Sequence, residues 1–186
     1  MNDYYEMTIA GCRRQLPVCR LNDELSIAGF VIFGDVELTC ACAKALLEKA
    51  PEFDYIVAPE AKAIPLAHEM ARQCGKNDYL IVRKQPKAYM KQVFKFSLTS
   101  ITTEGSQTLY MDMADAEKIK GKKVIILDDV ISTGESLKAL EALVEQAGGE
   151  IVAKMFALAE GDARGRTDVI YLEELPLFNG EGEPIG

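Results

Sequence analysis

Two adjacent carboxylates, Asp128 and Asp129, stand just before the small run Ser132-Thr133-Gly134-Glu135-Ser136. Neighbouring carboxylates accept hydrogen bonds from vicinal hydroxyls such as those of a ribose ring. The turn after them can aim backbone N–H groups and hydroxyls at a phosphate, on the positive end of a helix dipole. The combination suits a phosphorylated sugar. An ordinary acidic strand-to-helix loop with a Ser/Thr cap uses the same residue types, so the flanking elements have to decide.

Those elements put the carboxylates at the end of a strand. Lys122 to Leu127, after the turn signal Lys120-Gly121, is short, β-branched and continuously apolar, as a buried parallel strand should be. Beyond Gly134, Leu137, Leu140, Leu143, Val144 and Ala147 fall at helical spacing that stops at Gly148-Gly149. Ligands of open α/β sheets bind beyond the carboxyl ends of strands, and Asp128 and Asp129 occupy such an end.

The rest of the chain repeats this alternation. Asp54 to Ala58, Tyr79 to Val82 and Glu150 to Ala159 read as further strands, with Val169 to Leu172 as a short fifth. Glu37 to Lys49 and Pro65 to Cys74 read as helices, closed by Ala50-Pro51 and by Gly75. The expected fold is α/β, a Rossmann-like parallel sheet with helices on both faces, in one domain spanning residues 1–186. Residues 1–35 are less regular and form a hood over the sheet edge. Residues 88–115 leave the pattern: Val93 to Leu98 and Thr108 to Met111 alternate as an antiparallel hairpin, with Thr102-Thr103-Glu104-Gly105-Ser106-Gln107 at its tip.

Composition narrows the class. The 186 residues are 48% hydrophobic and 27% charged, ordinary for a globular protein. A net charge of −8 argues against a nucleic-acid-binding surface. No signal peptide, bilayer-length apolar run or repeat is visible, so the expected location is cytoplasmic, without membrane or nucleic-acid partners. Five cysteines form no C-x-x-C pair, and Cys40 and Cys42 read as small packing residues. His68, the lone histidine, lacks the second histidine of a zinc-protease motif and reads as a helix-surface residue.

The segment from Leu127 to Glu135 resembles the signature of the type I phosphoribosyltransferases, which use 5-phosphoribosyl 1-pyrophosphate (PRPP). The resemblance extends over residues 25–178 and is strongest at three loops. It implies that Asp128 and Asp129 hold the ribose hydroxyls and that Ser132, Thr133, Gly134, Glu135 and Ser136 wrap the 5′-phosphate. Glu135 departs from the small residue common there, so its side chain must point away and leave binding to the backbone. Pro59-Glu60-Ala61-Lys62-Ala63-Ile64-Pro65 resembles the family's pyrophosphate loop. Lys62 stands where the adenine branch carries arginine, which keeps the charge and loses the planar fork. Arg83, Lys84 and Lys87 would alone read as a solvated strand end; beside the other loops they read as pyrophosphate ligands, with Glu60, Ala61 and Lys62.

The same resemblance implies a mobile hairpin that closes over PRPP and excludes water, with Glu104 as acid or base and Lys62 in catalysis. An exposed loop carboxylate is an equal reading of Glu104. Ser132 replaces the aspartate of 6-oxopurine enzymes, which points to the adenine, orotate and xanthine branches. The adenine branch is the most similar, although Gly34 takes the place of its base-side arginine. Arg20 or backbone groups could compensate, and Phe30 and Ile32 could stack on a flat base or simply fill the hood core. The implied function is transfer of the phosphoribosyl group to a purine, adenine favoured, with Mg²⁺ carried by PRPP rather than by protein ligands, in a homodimer. The alternatives are a xanthine or orotate enzyme, or a PRPP-binding regulator without turnover.

Overall fold

The computed structural model describes residues 3–99 and 106–185. The chain opens with three antiparallel strands, β1 (Tyr4–Ile9), β2 (Cys12–Arg20) and β3 (Leu25–Ala28). Ala10 and Gly11, both at positive φ, make the two-residue turn between β1 and β2, the backbone twist that such hairpins favour. Helix α1 (Val36–Lys49) is capped by the Asp35 carboxylate, which accepts from the Leu38 N–H. Strand β4 (Tyr55–Pro59) leads to helix α2 (Ile64–Gln73), with Pro65 in its first turn, and then to β5 (Leu80–Val82). A hairpin follows, β6 (Val93–Thr99) with β7 (Ser106–Asp112). Glu104, at its expected tip, lies outside the described residues. Helix α3 (Met113–Ile119), strand β8 (Lys123–Ile131), helix α4 (Glu135–Gln146), strands β9 (Glu150–Glu160) and β10 (Ile170–Leu175), and the short strands β11 (Leu177–Asn179) and β12 (Pro184–Ile185) complete the chain.

The central sheet is parallel throughout, in the order β10-β9-β8-β4-β5. Its faces sort the side chains of β8 by alternation. Ile125 and Leu127 join α1, α2 and the hood in one core; Val124 and Ile126 join α3 and α4 in the other. Burial on both faces explains why this strand is apolar without a break. Among the described residues no helix is long and apolar enough to cross a membrane.

Three expectations need correction. The hood is a regular antiparallel sheet, β1-β2-β3-β11-β12, which takes its last two strands from the C-terminal end of the chain. Strand β8 continues through Asp128 and Asp129 to Ile131, because its pairing with β9 persists as far as Ile131 opposite Ala159. Helix α3 begins inside the stretch assigned to the hairpin excursion, where Asp112 caps it by accepting the Ala114 N–H.

Candidate active site

The carboxyl ends of β8, β4 and β5 meet around one cleft of about 290 Å³. Pro59, Glu60, Ala61 and Lys62 line it from the β4 loop, Lys84 from the β5 loop, and Asp128, Asp129 and Ser136 from the β8 side. A smaller adjoining pocket shares Asp128 and Ser136 and is walled by Ser132, Thr133 and Gly134. Glu135 lines neither. Its side chain is exposed, while its N–H faces Thr133 Oγ1 at 3.5 Å. Gly134 sits at φ +78°, a left-handed bend that starts α4 and suits glycine. A Cβ there would also stand 2.7 Å from Arg166 Nη1.

The carboxylate pair is electrostatically tense. Asp129 is 4% exposed, and among the described residues its Oδ2 has no hydrogen-bond partner, only an ion pair with Lys62 Nζ at 3.2 Å. Asp128 accepts the Asp129 N–H at 2.8 Å. Burial first, then the neighbouring Asp129 charge, push the Asp128 carboxyl well above the usual range, against the pull of Lys62. Ionising Asp128 is therefore costly unless a ligand supplies donors or positive charge.

The basic groups are also paired in this state. Arg83 Nη1 donates to Glu60 Oε2 at 2.7 Å, and Lys87 Nζ lies 3.8 Å from the same oxygen. The Lys84 N–H donates to Glu60 Oε1 at 3.2 Å. Burial of Glu60 opposes these contacts, but together they leave its carboxyl below the ordinary range. Arg83 also exchanges two 2.8 Å backbone hydrogen bonds with Tyr110, which ties the hairpin to the rim.

Of the loop residues proposed from sequence, Glu60, Ala61, Lys62, Lys84, Asp128, Asp129 and Ser136 line the cleft and Ser132, Thr133 and Gly134 the pocket beside it, while Glu60 gathers Arg83, Lys87 and the Lys84 backbone N–H at its edge. Phe30 and Ile32 do not join them. They are 4% and 0% exposed in the core beneath the hood, so neither presents a face to a base; Val31 and Phe33, on the alternate positions, are exposed. Arg20 is held by Asp23 at 2.6 Å on the hood surface. Arg166, far along the chain from the other groups, went unrecognised in the sequence. It is fixed by two hydrogen bonds to Asp168, of 2.9 and 2.7 Å, with its third nitrogen against Gly134. Only that glycine hinted that something packs so close.

An open parallel sheet whose strand ends carry a carboxylate pair, a glycine-bearing helix start and two basic loops is an α/β arrangement whose rim suits an anionic ligand. Residues 40–175 match the phosphoribosyl transferase domain, and the chain belongs to that family. Among its relatives, the adenine phosphoribosyltransferase of Thermosipho africanus (strain TCF52B) is 39% identical over 115 residues, 61% of this chain and 64% of that protein. The enzyme of the same name from Thermotoga maritima is 39% identical over 105 residues, 56% of this chain and 57% of its own. The matches thus span less than two thirds of these relatives' length. The fold is shared with the crystal structure of adenine phosphoribosyltransferase from Rhodothermus marinus DSM 4252, at a TM-score of 0.63, 24% identity and coverage of 93% and 94% of the two chains. For that from Thermoanaerobacter pseudethanolicus the TM-score is 0.64 at 24% identity, over 77% and 84%. It is the type I phosphoribosyltransferase fold, α/β with a parallel sheet flanked by helices.

Proposed function

We propose that this chain transfers the 5-phosphoribosyl group of PRPP to a nitrogenous base, adenine favoured, releasing pyrophosphate and forming a nucleoside 5′-monophosphate. The observation that carries this reading is one cleft onto which the carboxylate pair, the pyrophosphate-type loop and Lys84 of the basic strand end all open. The names of the relatives support adenine. In this reading Ser132, Thr133, Gly134, the Glu135 backbone and Ser136 hold the 5′-phosphate, with the α4 dipole behind them. Asp128 and Asp129 accept the ribose hydroxyls.

Substrate binding then exchanges partners. The diphosphate draws Lys62 away from Asp129, and Arg83 and Lys87 away from Glu60; the hydroxyls replace the ammonium as donors to Asp129. As the C1–oxygen bond breaks and the C1–nitrogen bond forms, Lys62, Arg83, Lys84 and Lys87 stabilise the charge gathering on pyrophosphate. The hairpin within residues 88–115 closes over the site and excludes water, and Glu104 at its tip handles the proton of the base.

Magnesium fits as a passenger of the substrate. The donors near the cleft are carboxylate oxygens, the chemistry Mg²⁺ prefers when diphosphate and water fill its other positions. Asp128 and Asp129 are the carboxylates that would hold it or its water, and it would supply charge neutralisation for the diphosphate.

A cytoplasmic homodimer completes the reading. An apolar hollow beside α1 and α2, lined by Val36, Ile64, Pro65 and Tyr79, supports the dimer. Incubation with PRPP, Mg²⁺ and a panel of bases, with pyrophosphate release as readout, tests the function. Adenine should react fastest. Tight PRPP binding with no release on any base would instead assign the chain as a sensor.

A further inference from the structure

We propose that Glu160 reads the base: its carboxylate accepts a hydrogen bond from an amino or ring N–H group on the incoming ring and so sets which base is taken. The inference rests on the phosphoribosyl-transfer reading above and follows from the order of the strands. An in-line displacement places the departing group and the entering nitrogen on opposite sides of C1. The pyrophosphate loops end β4 and β5, on one side of the β8 carboxylates. The base must therefore approach over the other side, above the ends of β9 and β10.

Glu160 is the last residue of β9, paired with Leu175 of β10 and following Ala159, which faces Ile131 of β8. Ala159 packs into the core on the α4 side, so alternation turns Glu160 toward the face that carries the hood. The next residue, Gly161, has so little room beneath hood strand β11 that a Cβ would stand 3.0 Å from Leu177. Glu160 thus lies where the rim of the sheet passes under the hood, half-buried, within the field of the Lys62 ammonium that also pairs with Asp129.

Among the described residues no hydrogen bond or ion pair reaches this carboxylate. Burial accordingly raises its pKa, with Lys62 pulling the other way. A half-buried acid without a protein donor is costly, and a base N–H group supplies the missing partner.

Equilibrium titration of nucleoside 5′-monophosphates tests this without turnover. AMP is compared with purine riboside 5′-monophosphate, which lacks the amine, GMP is compared with IMP, and ribose 5-phosphate is the control. The wild-type chain should prefer at least one amine-bearing nucleotide over its partner. Glu160→Leu should weaken that nucleotide about 10- to 100-fold, the scale of a lost charge-assisted hydrogen bond, and abolish the preference. Glu160→Gln, which keeps an acceptor oxygen, should recover part of it. Ribose 5-phosphate affinity should stay unchanged in both variants, which also reports that they are folded. Unchanged nucleotide preference in Glu160→Leu, with ribose 5-phosphate bound normally, overturns the role of Glu160 alone. Failure of the wild-type chain to bind ribose 5-phosphate overturns the sugar-phosphate reading and this inference with it.

Discussion

Asp128 and Asp129 share a buried corner with the Lys62 ammonium, and the ionisation of Asp128 is the cost that the proposed ligand would relieve. Because burial and Asp129 raise the Asp128 pKa, the folded chain holds a proton that the unfolded chain releases near pH 4. The folded state binds more protons than the unfolded one above that pH. The contribution of Asp128 to stability is therefore full below about pH 4 and is lost as pH rises through its raised value. Asp128→Asn removes this loss. The unfolding free energy of the variant relative to wild type, from urea titrations, should differ little at pH 4 and should rise steadily toward pH 8, by at most about 1.4 kcal/mol per pH unit; a flat difference contradicts the assignment. The double variant Asp128→Asn with Asp129→Asn should keep its fold, by circular dichroism, and lose at least about 100-fold in kcat/KM through two weakened charge-assisted hydrogen bonds.

The start of α4 ties conformation to binding. Gly134 needs a left-handed φ and has Arg166 where a side chain would go. Gly134→Ala should cost about 1–2 kcal/mol for the backbone alone and should weaken ribose 5-phosphate, measured by calorimetry, more than Ala substitutions elsewhere on α4. The bend was legible because a carboxylate pair, hydroxyls and a glycine stood between a continuous apolar run and a helical period. Strands β4, β5, β8 and β9 were legible for the same reason, since burial on both faces leaves few polar interruptions. Other features were not. Helix α3, at seven residues, is too short to display a period, and its cap looked like the end of a hairpin. The pairing of Lys62 with Asp129 and of Arg83 with Glu60 depends on which strand ends are neighbours, information that no local window carries. For Phe30 and Ile32 the sequence left two readings, stacking on a base or filling the hood core, and burial decides for the core, because an apolar pattern does not say whether its face meets solvent or protein.

The two ends of the chain are joined in the hood, which couples the base side of the rim to the stability of the whole molecule. β11 pairs with β3 through Leu177 opposite Ile27 and Phe178 opposite Ser26. Phe178 is buried and meets Tyr5 edge-on, with ring centroids 5.1 Å apart. Gly180 passes so close that an added Cβ would stand 2.0 Å from the Asp23 carbonyl oxygen. Phe178→Ala should destabilise by about 3–5 kcal/mol, a large share of the 5–15 kcal/mol typical of a domain. Gly180→Ala should act on the same seam, by forcing backbone apart instead of emptying a cavity. The loop proposed to hold the 5′-phosphate lies at the far side of β8 from these contacts and draws on the α4 core. Gly180→Ala should therefore weaken AMP more than ribose 5-phosphate, and hydrogen exchange should speed up in β1, β2 and β3 before it does in β8 or α4. If both ligands weaken equally, or exchange rises uniformly, the hood and the phosphate half open as one unit and the division of labour across the sheet fails.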